Sequence, residues 1–361
     1  MIPVADPQIG DAERERVVDV LDSGYLADGP EVRAFEAAFA DYCGTDHAVA
    51  TNNGTTALHA AFEALGIGEG DTVVTSPFSF VASANAVRLA GADPVFADVD
   101  EETFTLDPES VEAAVRDHDA DAVLVVHLYG LPAEMDRLAE VADAHDVALV
   151  EDAAQAHGAE YDGRRVGSFG DAACFSFYPT KNVTTGEGGM VTTDRPEVAD
   201  RVASFVNHGR PTGDDHSSYD HVRLGHNFRM TSVAAAIGLA QLERLPEFNE
   251  ARRANAAYLT DRLERSSVTT PVEPDGRRHV YHQYTVRTDD RAALRDHLED
   301  EGVATGVYYP TPIHEQPAYS HVDVEAPVAE RLADEVLSLP VHPGLDGDDV
   351  RTIAGAVKDY E

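Results

Sequence analysis

Residues 122–152, AVLVVHLYGLPAEMDRLAEVADAHDVALVED, open with a β-branched run (Ala122–His127) and continue through a helical pattern (Glu134–His145) to a second run, Val147–Glu151. Two strands joined through a helix form a crossover unit, which sets the strands parallel in one sheet. The alternation extends in both directions. His47–Thr51, Thr72–Ser76 and Pro94–Asp98 precede this unit, and Ala172–Phe177 and Gly189–Thr193 follow it. Helical stretches at Thr55–Leu65, Val81–Ala90 and Pro108–Arg116 lie between them. Seven strands predict one large, open, mainly parallel α/β sheet. Ligands on such sheets bind at the carboxyl ends of the strands, so candidate catalytic residues are those that follow strands.

Beyond the alternation, a helical pattern from about Thr231 to Leu245 is expected to stop at Pro246, with a new helix running to about Arg265. Then come a strand (His282–Arg287), a helix (Arg291–Glu301), a strand (Ala304–Tyr308), a helix (Val328–Ser338) and a last helix (Asp348–Val357). The expected division is a large domain over 1–246 and a smaller C-terminal α/β domain over 247–361.

Acidic residues outnumber basic ones 66 to 27, for a formal net charge of −39. Such a surface repels nucleic-acid phosphates and anionic lipid, so neither is an expected partner. Regular apolar periodicity separates the chain from acidic disordered sequences. Lysine occurs only at Lys181 and Lys358. An acidic, lysine-poor surface points to a halophilic chain, because strong salt cuts the reach of self-repulsion to roughly 3 Å. Two cysteines, Cys43 and Cys174, are too few for a disulfide framework. The N-terminus carries neither a basic nor an apolar leader pattern, and no apolar run approaches spanning length, so a cytoplasmic location is expected.

Three motifs follow strands. Asn52–Leu58, NNGTTAL, opens a helix whose free N–H groups attract an anion, with Thr55 and Thr56 adding hydroxyls. Read alone, it also fits a capped helix with nothing bound. Glu151–Gln155, EDAAQ, ends a strongly apolar strand, and Asp152 there faces the ligand crevice or merely caps the next turn. Ser176 and Lys181 follow the strand AACFSF and precede Gly186, Gly188 and Gly189. A lysine after a strand is usually a solvated surface residue; one retained where lysine is nearly absent has a chemical task. A reactive amine of this kind must be partly desolvated.

Together these stretches resemble the DegT/DnrJ/EryC1/StrS family of sugar aminotransferases, a branch of the fold-type I pyridoxal-phosphate enzymes. The resemblance is carried by NNGTTALHAAFEALGIGEGDTVV, SPFSFVASANAVRLAGADPVFADVD, VEDAAQAHGA, FSFYPTKNVTTGEGGM, LGHNFRM and YYPTPIHEQPAY. It implies pyridoxal 5'-phosphate as cofactor, joined to Lys181, which also serves as the proton-transfer base. It implies that Asp152 pairs with the pyridine nitrogen, that Gln155 contacts the ring hydroxyl, and that Thr55, Thr56 and Ser176 bind the phosphate. Phe80 matches the aromatic position stacked on the cofactor ring, although a core phenylalanine reads the same way. Asn227 matches the residue that reaches the phosphate from a neighbouring subunit, which implies a homodimer with shared sites. Tyr309 and His314 match the segment lining the sugar-nucleotide pocket.

One branch of the family carries histidine in place of the lysine and performs deoxygenation; Lys181 therefore points to transamination. The implied reaction moves an amino group from an amino acid, glutamate being expected, to a nucleotide-linked keto sugar. Rivals are a lyase or dehydratase using the same cofactor and a non-catalytic sugar-nucleotide sensor. A nicotinamide enzyme is disfavoured because NNGTTA stands where G-x-G-x-x-G would. A metal enzyme is disfavoured because the 16 histidines lack paired ligand spacing.

Overall fold

The computed structural model describes residues 1–212, 219–322 and 324–360. All seven expected strands form: β1 His47–Thr51, β2 Thr72–Thr75, β3 Asp93–Phe96, β4 Ala122–Val126, β5 Ala148–Asp152, β6 Ala172–Ser176 and β7 Gly189–Thr193. They lie side by side in the order β1-β7-β6-β5-β4-β2-β3. The neighbours from β6 through β3 pair in parallel, and β7 runs antiparallel to both β6 and β1.

The helices of this region are α1 Asp11–Ser23, α2 Pro30–Cys43, α3 Gly54–Leu65, α4 Ala82–Ala90, α5 Pro108–His118, α6 Met135–His145 and α7 Pro196–Val206. Successive strand residues point to opposite faces, and both faces are covered. Val49, Val73, Leu124, Val150 and Cys174 pack with α3, α4 and α7. On the other face Ala50, Ala173, Phe175 and Met190 meet α2, while Val74, Val123, Val125 and Leu149 meet α5 and α6. Burial on both sides explains why the strands read as continuous apolar runs.

Three expectations fail beyond the sheet. The helix expected to stop at Pro246 continues as one rod, α8, from Ser232 to Leu263. A helical proline costs about 3 kcal/mol. Buried Leu242, Leu245, Phe248 and Asn249 anchor the rod on both sides of it and outweigh that cost. The division expected at 246 thus falls inside a helix. The expected helix 328–338 ends early, as α10 (Pro327–Glu335), and the next four residues form a strand. With β8 as Tyr284–Arg287 and β9 as Val336–Leu339, these two segments make an antiparallel pair. All four residues of β9 are buried, and a short apolar run of that kind reads alike as buried helix or strand. The strand expected at 304–308 contributes only an isolated bridge from Gly306 to Ser338.

The remaining helices, α9 (Arg291–Asp300) and α11 (Gly347–Asp359), pack with the end of α8 on the β8–β9 pair. Ala329, Leu332 and Ala333 of α10 pack against Phe78, Val126 and Leu128, fastening the C-terminal part to the carboxyl edge of the large sheet. Among the described residues no helix is long and apolar enough to cross a membrane.

Candidate active site

The carboxyl ends of β1, β5 and β6 carry the three motifs. At β1 the turn into α3 is built by side chains. Asn53 caps the helix by accepting from the Thr56 N–H at 2.9 Å, and the Thr56 hydroxyl lies 2.7 Å from Asn52 Oδ1. Thr56 therefore holds the turn as well as lining it, and Thr55 is half-buried beside it. Gly54 is required by proximity: a Cβ there would stand 2.7 Å from the Ser176 Cβ. The helix N-terminus, Thr55, Thr56 and Ser176 thus converge from chain segments more than a hundred residues apart. This cradle of N–H groups and hydroxyls suits a phosphate.

Asp152 ends β5 and is only 6% exposed. Its Oδ2 accepts from the Ser83 hydroxyl at 2.7 Å, and Ser83 lies 3.1 Å from the Ser79 hydroxyl. Its Oδ1 accepts from the Ala154 N–H at 3.2 Å. The preceding acid has another task. Glu151 is wholly buried and accepts from the backbone N–H groups of Gly167 (2.9 Å), Phe169 (2.7 Å) and Gly170 (3.0 Å). A fourth contact is His127 Nε2 at 3.1 Å, and His127 Nδ1 accepts from the Ala133 N–H, so Nε2 carries the proton toward Glu151. Burial pushes the Glu151 pKa up, but these donors together hold it below the ordinary value.

Lys181 stands half-buried in the turn after β6. Protein packed around the amine lowers its pKa to about 8, against Asp152, which acts to raise it. His157, fully buried between Phe175 and Phe177, is depressed to about 3 by burial and then by Lys181. His282 is held well below its ordinary value by burial, then by Lys181 and Arg252. Both imidazoles within electrostatic reach of the amine are thus held uncharged.

Gln155 is oriented by the backbone. The Tyr129 N–H donates to its Oε1 at 2.7 Å, which leaves the amide NH₂ for the site, and Nε2 donates to the Tyr309 hydroxyl at 3.2 Å. The Tyr129 hydroxyl in turn donates to the Tyr308 carbonyl. Phe80 is 54% exposed and its ring centroid is 5.9 Å from that of Tyr309, so it is not a core residue.

Two expected site residues make no hydrogen bond to the others of this group among the described residues. Asn227 is exposed and accepts from Arg229 at 2.7 Å, in a stretch running beside the end of β1, where Asn52 N–H donates to the Phe228 carbonyl. His314 is buried against Phe96 with its Nε2 3.3 Å from Glu330. Ser83, Tyr129 and Asn182 were not anticipated. Only the four-residue Ser79–Ser83 spacing on one helical face offered a signal for Ser83.

The site residues present fit pyridoxal 5'-phosphate: a helix-end cradle for the phosphate, an acid for the ring nitrogen, an oriented amide and a desolvated lysine. An open seven-stranded sheet bearing this set at its carboxyl edge defines a fold-type I pyridoxal-phosphate transferase. Comparison with known proteins narrows the class. The model of the DegT/DnrJ/EryC1/StrS aminotransferase family matches residues 7–358, and the chain belongs to that family. It is 43% identical over 349 residues to a dTDP-3-amino-3,4,6-trideoxy-alpha-D-glucose transaminase of Streptomyces venezuelae, covering 95% of this chain and 90% of the relative. The solved S. venezuelae DesV, in complex with a ketimine intermediate, superposes with a TM-score of 0.92 at 42% identity, covering 96% and 94% of the two chains. The sugar aminotransferase Spr1654 of Streptococcus pneumoniae in its PLP form, named as putative, gives a TM-score of 0.92 at 28% identity, covering 99% and 98%.

Proposed function

We propose that this protein is a pyridoxal-phosphate-dependent transaminase that moves an amino group from an amino acid, glutamate being the expected donor, to a keto sugar linked to a nucleotide. The observation that carries the reading is the convergence at one sheet edge of half-buried Lys181, Asp152 at the end of β5, and the Thr55, Thr56 and Ser176 cradle. The 43% identity to a nucleotide-sugar transaminase supports the substrate class.

Pyridoxal phosphate, when bound, supplies an electron sink for the bond being broken. The chain's own groups do the rest. The α3 N-terminus, Thr55, Thr56 and Ser176 bind the phosphate. Asp152, kept in place by Ser83 and the Ala154 N–H, holds a proton on the ring nitrogen. Gln155 offers only N–H toward the ring hydroxyl. Lys181 Nζ would hold and move the proton between donor and acceptor, and an amine near 8 is poised for both directions. Phe80 and Tyr309, whose ring centroids are 5.9 Å apart, would shield a bound cofactor from water, and the segment carrying Tyr309 and His314 would line the sugar-nucleotide side.

The test converts the holoenzyme to its pyridoxamine form with glutamate, then adds keto sugars carried on UDP, dTDP, GDP or CDP. One carrier is expected to restore the visible absorbance with one 2-oxoglutarate released per amino sugar formed. Sugar turnover without consumption of the amino donor would instead mark a lyase or dehydratase, and binding without turnover a sensor.

We further propose a homodimer in which Asn227 reaches the partner's phosphate, in a protein adapted to high salt. The support is local: Asn227 is exposed, and Leu224 and Val222 beside it are 93% and 56% exposed. The net charge of −39 supports the salt dependence. Sedimentation in strong and in dilute salt examines both. A dimer that dissociates or unfolds as salt is withdrawn is expected; a stable monomer in both would overturn the proposal.

A further inference from the structure

The turn bearing Lys181 is gripped through its neighbour. Asn182 is 3% exposed. Its Nδ2 donates to Asn249 Oδ1 at 2.8 Å and lies 3.2 Å from the Val280 carbonyl, and its Oδ1 faces His282 Nδ1 at 3.2 Å. Asn249, on α8, donates in turn to the His157 carbonyl at 2.8 Å. With the amide oxygen toward it, His282 Nδ1 carries the proton and the ring is the donor. Four buried polar residues thus run from the lysine turn to the segment that follows Asp152, with partners 67 to 100 residues apart in the chain. Only an amide offers both donors and an acceptor at this point without adding charge beside the amine.

We propose that Asn182 is a positioning residue for Lys181, its amide network fixing the turn so that the amine sits in a desolvated compartment, with Asp152 the carboxylate that acts on it, and is ready to react. The inference rests on the reading of Lys181 as the reacting amine. The lowered amine, near 8, agrees with such a compartment, and His157 and His282 are both neutral there. A network that merely staples the fold would leave the amine's protonation untouched.

The scarcity of lysine makes this measurable. In the full chain freed of cofactor, trace acylation over a range of pH, followed by mass spectrometry, reads Lys181 and Lys358 separately, and exposed Lys358 serves as the internal reference. The Lys181 midpoint is expected near 8. Asn182→Ala is expected to raise it by about one pH unit or more while the Lys358 curve stays in place. Asn182→Asp is expected to raise it further, because a carboxylate favours the charged amine. Asn249→Ala removes one partner without altering the lysine turn; it is expected to give a smaller rise in the same direction and decides the matter if the 182 variants do not fold. Melting temperatures that fall while the Lys181 midpoint stays put would overturn the proposal. No cofactor or substrate enters the measurement, so the shift can be found even where transamination is not, which would sink the functional reading alone.

Discussion

Lys181→Ala is expected to lose the visible absorbance of lysine-bound cofactor and to reduce transamination by at least about 10³-fold. A positioned general base alone is worth roughly 10²–10⁴-fold, and the covalent handle for the cofactor disappears with it. Lys181→Arg should fare no better, because a guanidinium keeps its charge and cannot shuttle the proton. The fold should survive both changes, since the residue is half-buried and stands outside the apolar clusters. Absorbance, circular dichroism and turnover measured on the same samples check this. A Lys181→Ala protein that kept both colour and turnover would falsify the assignment. In the parent, the step that needs the free amine should rise with pH toward a midpoint near 8, because below it the amine is increasingly protonated.

The largest effect on stability is expected at Glu151, not at the catalytic acid next to it. Glu151→Ala would strand three backbone donors and the His127 N–H in a fully buried site. Removing one partner of a buried, hydrogen-bonded ionic group costs about 3–5 kcal/mol, with each orphaned donor contributing roughly 1–3 kcal/mol. Urea unfolding of the variant checks this, and a loss below about 1 kcal/mol would contradict it. The pH dependence has a definite sign. The Glu151 pKa is lower in the fold than in the unfolded chain, so its contribution is complete above the ordinary carboxylate range, about 4.3. It is lost as pH falls through the folded value.

The sheet was legible because each strand is a β-branched run bounded by turn residues, and burial on both faces keeps those runs apolar. Lys181 was legible because it is almost alone in its type. What escaped the sequence depends on distance along the chain. Ser83 acquires its role only when folding brings it to Asp152, 69 residues away. Asn182 needs Asn249, Val280 and His282 before its amide has partners. The unbroken α8 was hidden by a local rule, the proline stop, that tertiary packing overrode. β9 was hidden because Val336–Leu339 is apolar at every position but one, and so short an apolar run fits either period.

α8 has a thermodynamic consequence. Its first half supplies Ala235, Leu242 and Leu245 to the core beneath the large sheet, and its second half supplies Ala256, Leu259 and Leu263 to the core around β8 and β9. Neither core can melt without fraying the rod that the other holds. The two halves should therefore share one cooperative transition, seen in calorimetry as a single heat-absorption peak with matching calorimetric and van't Hoff enthalpies.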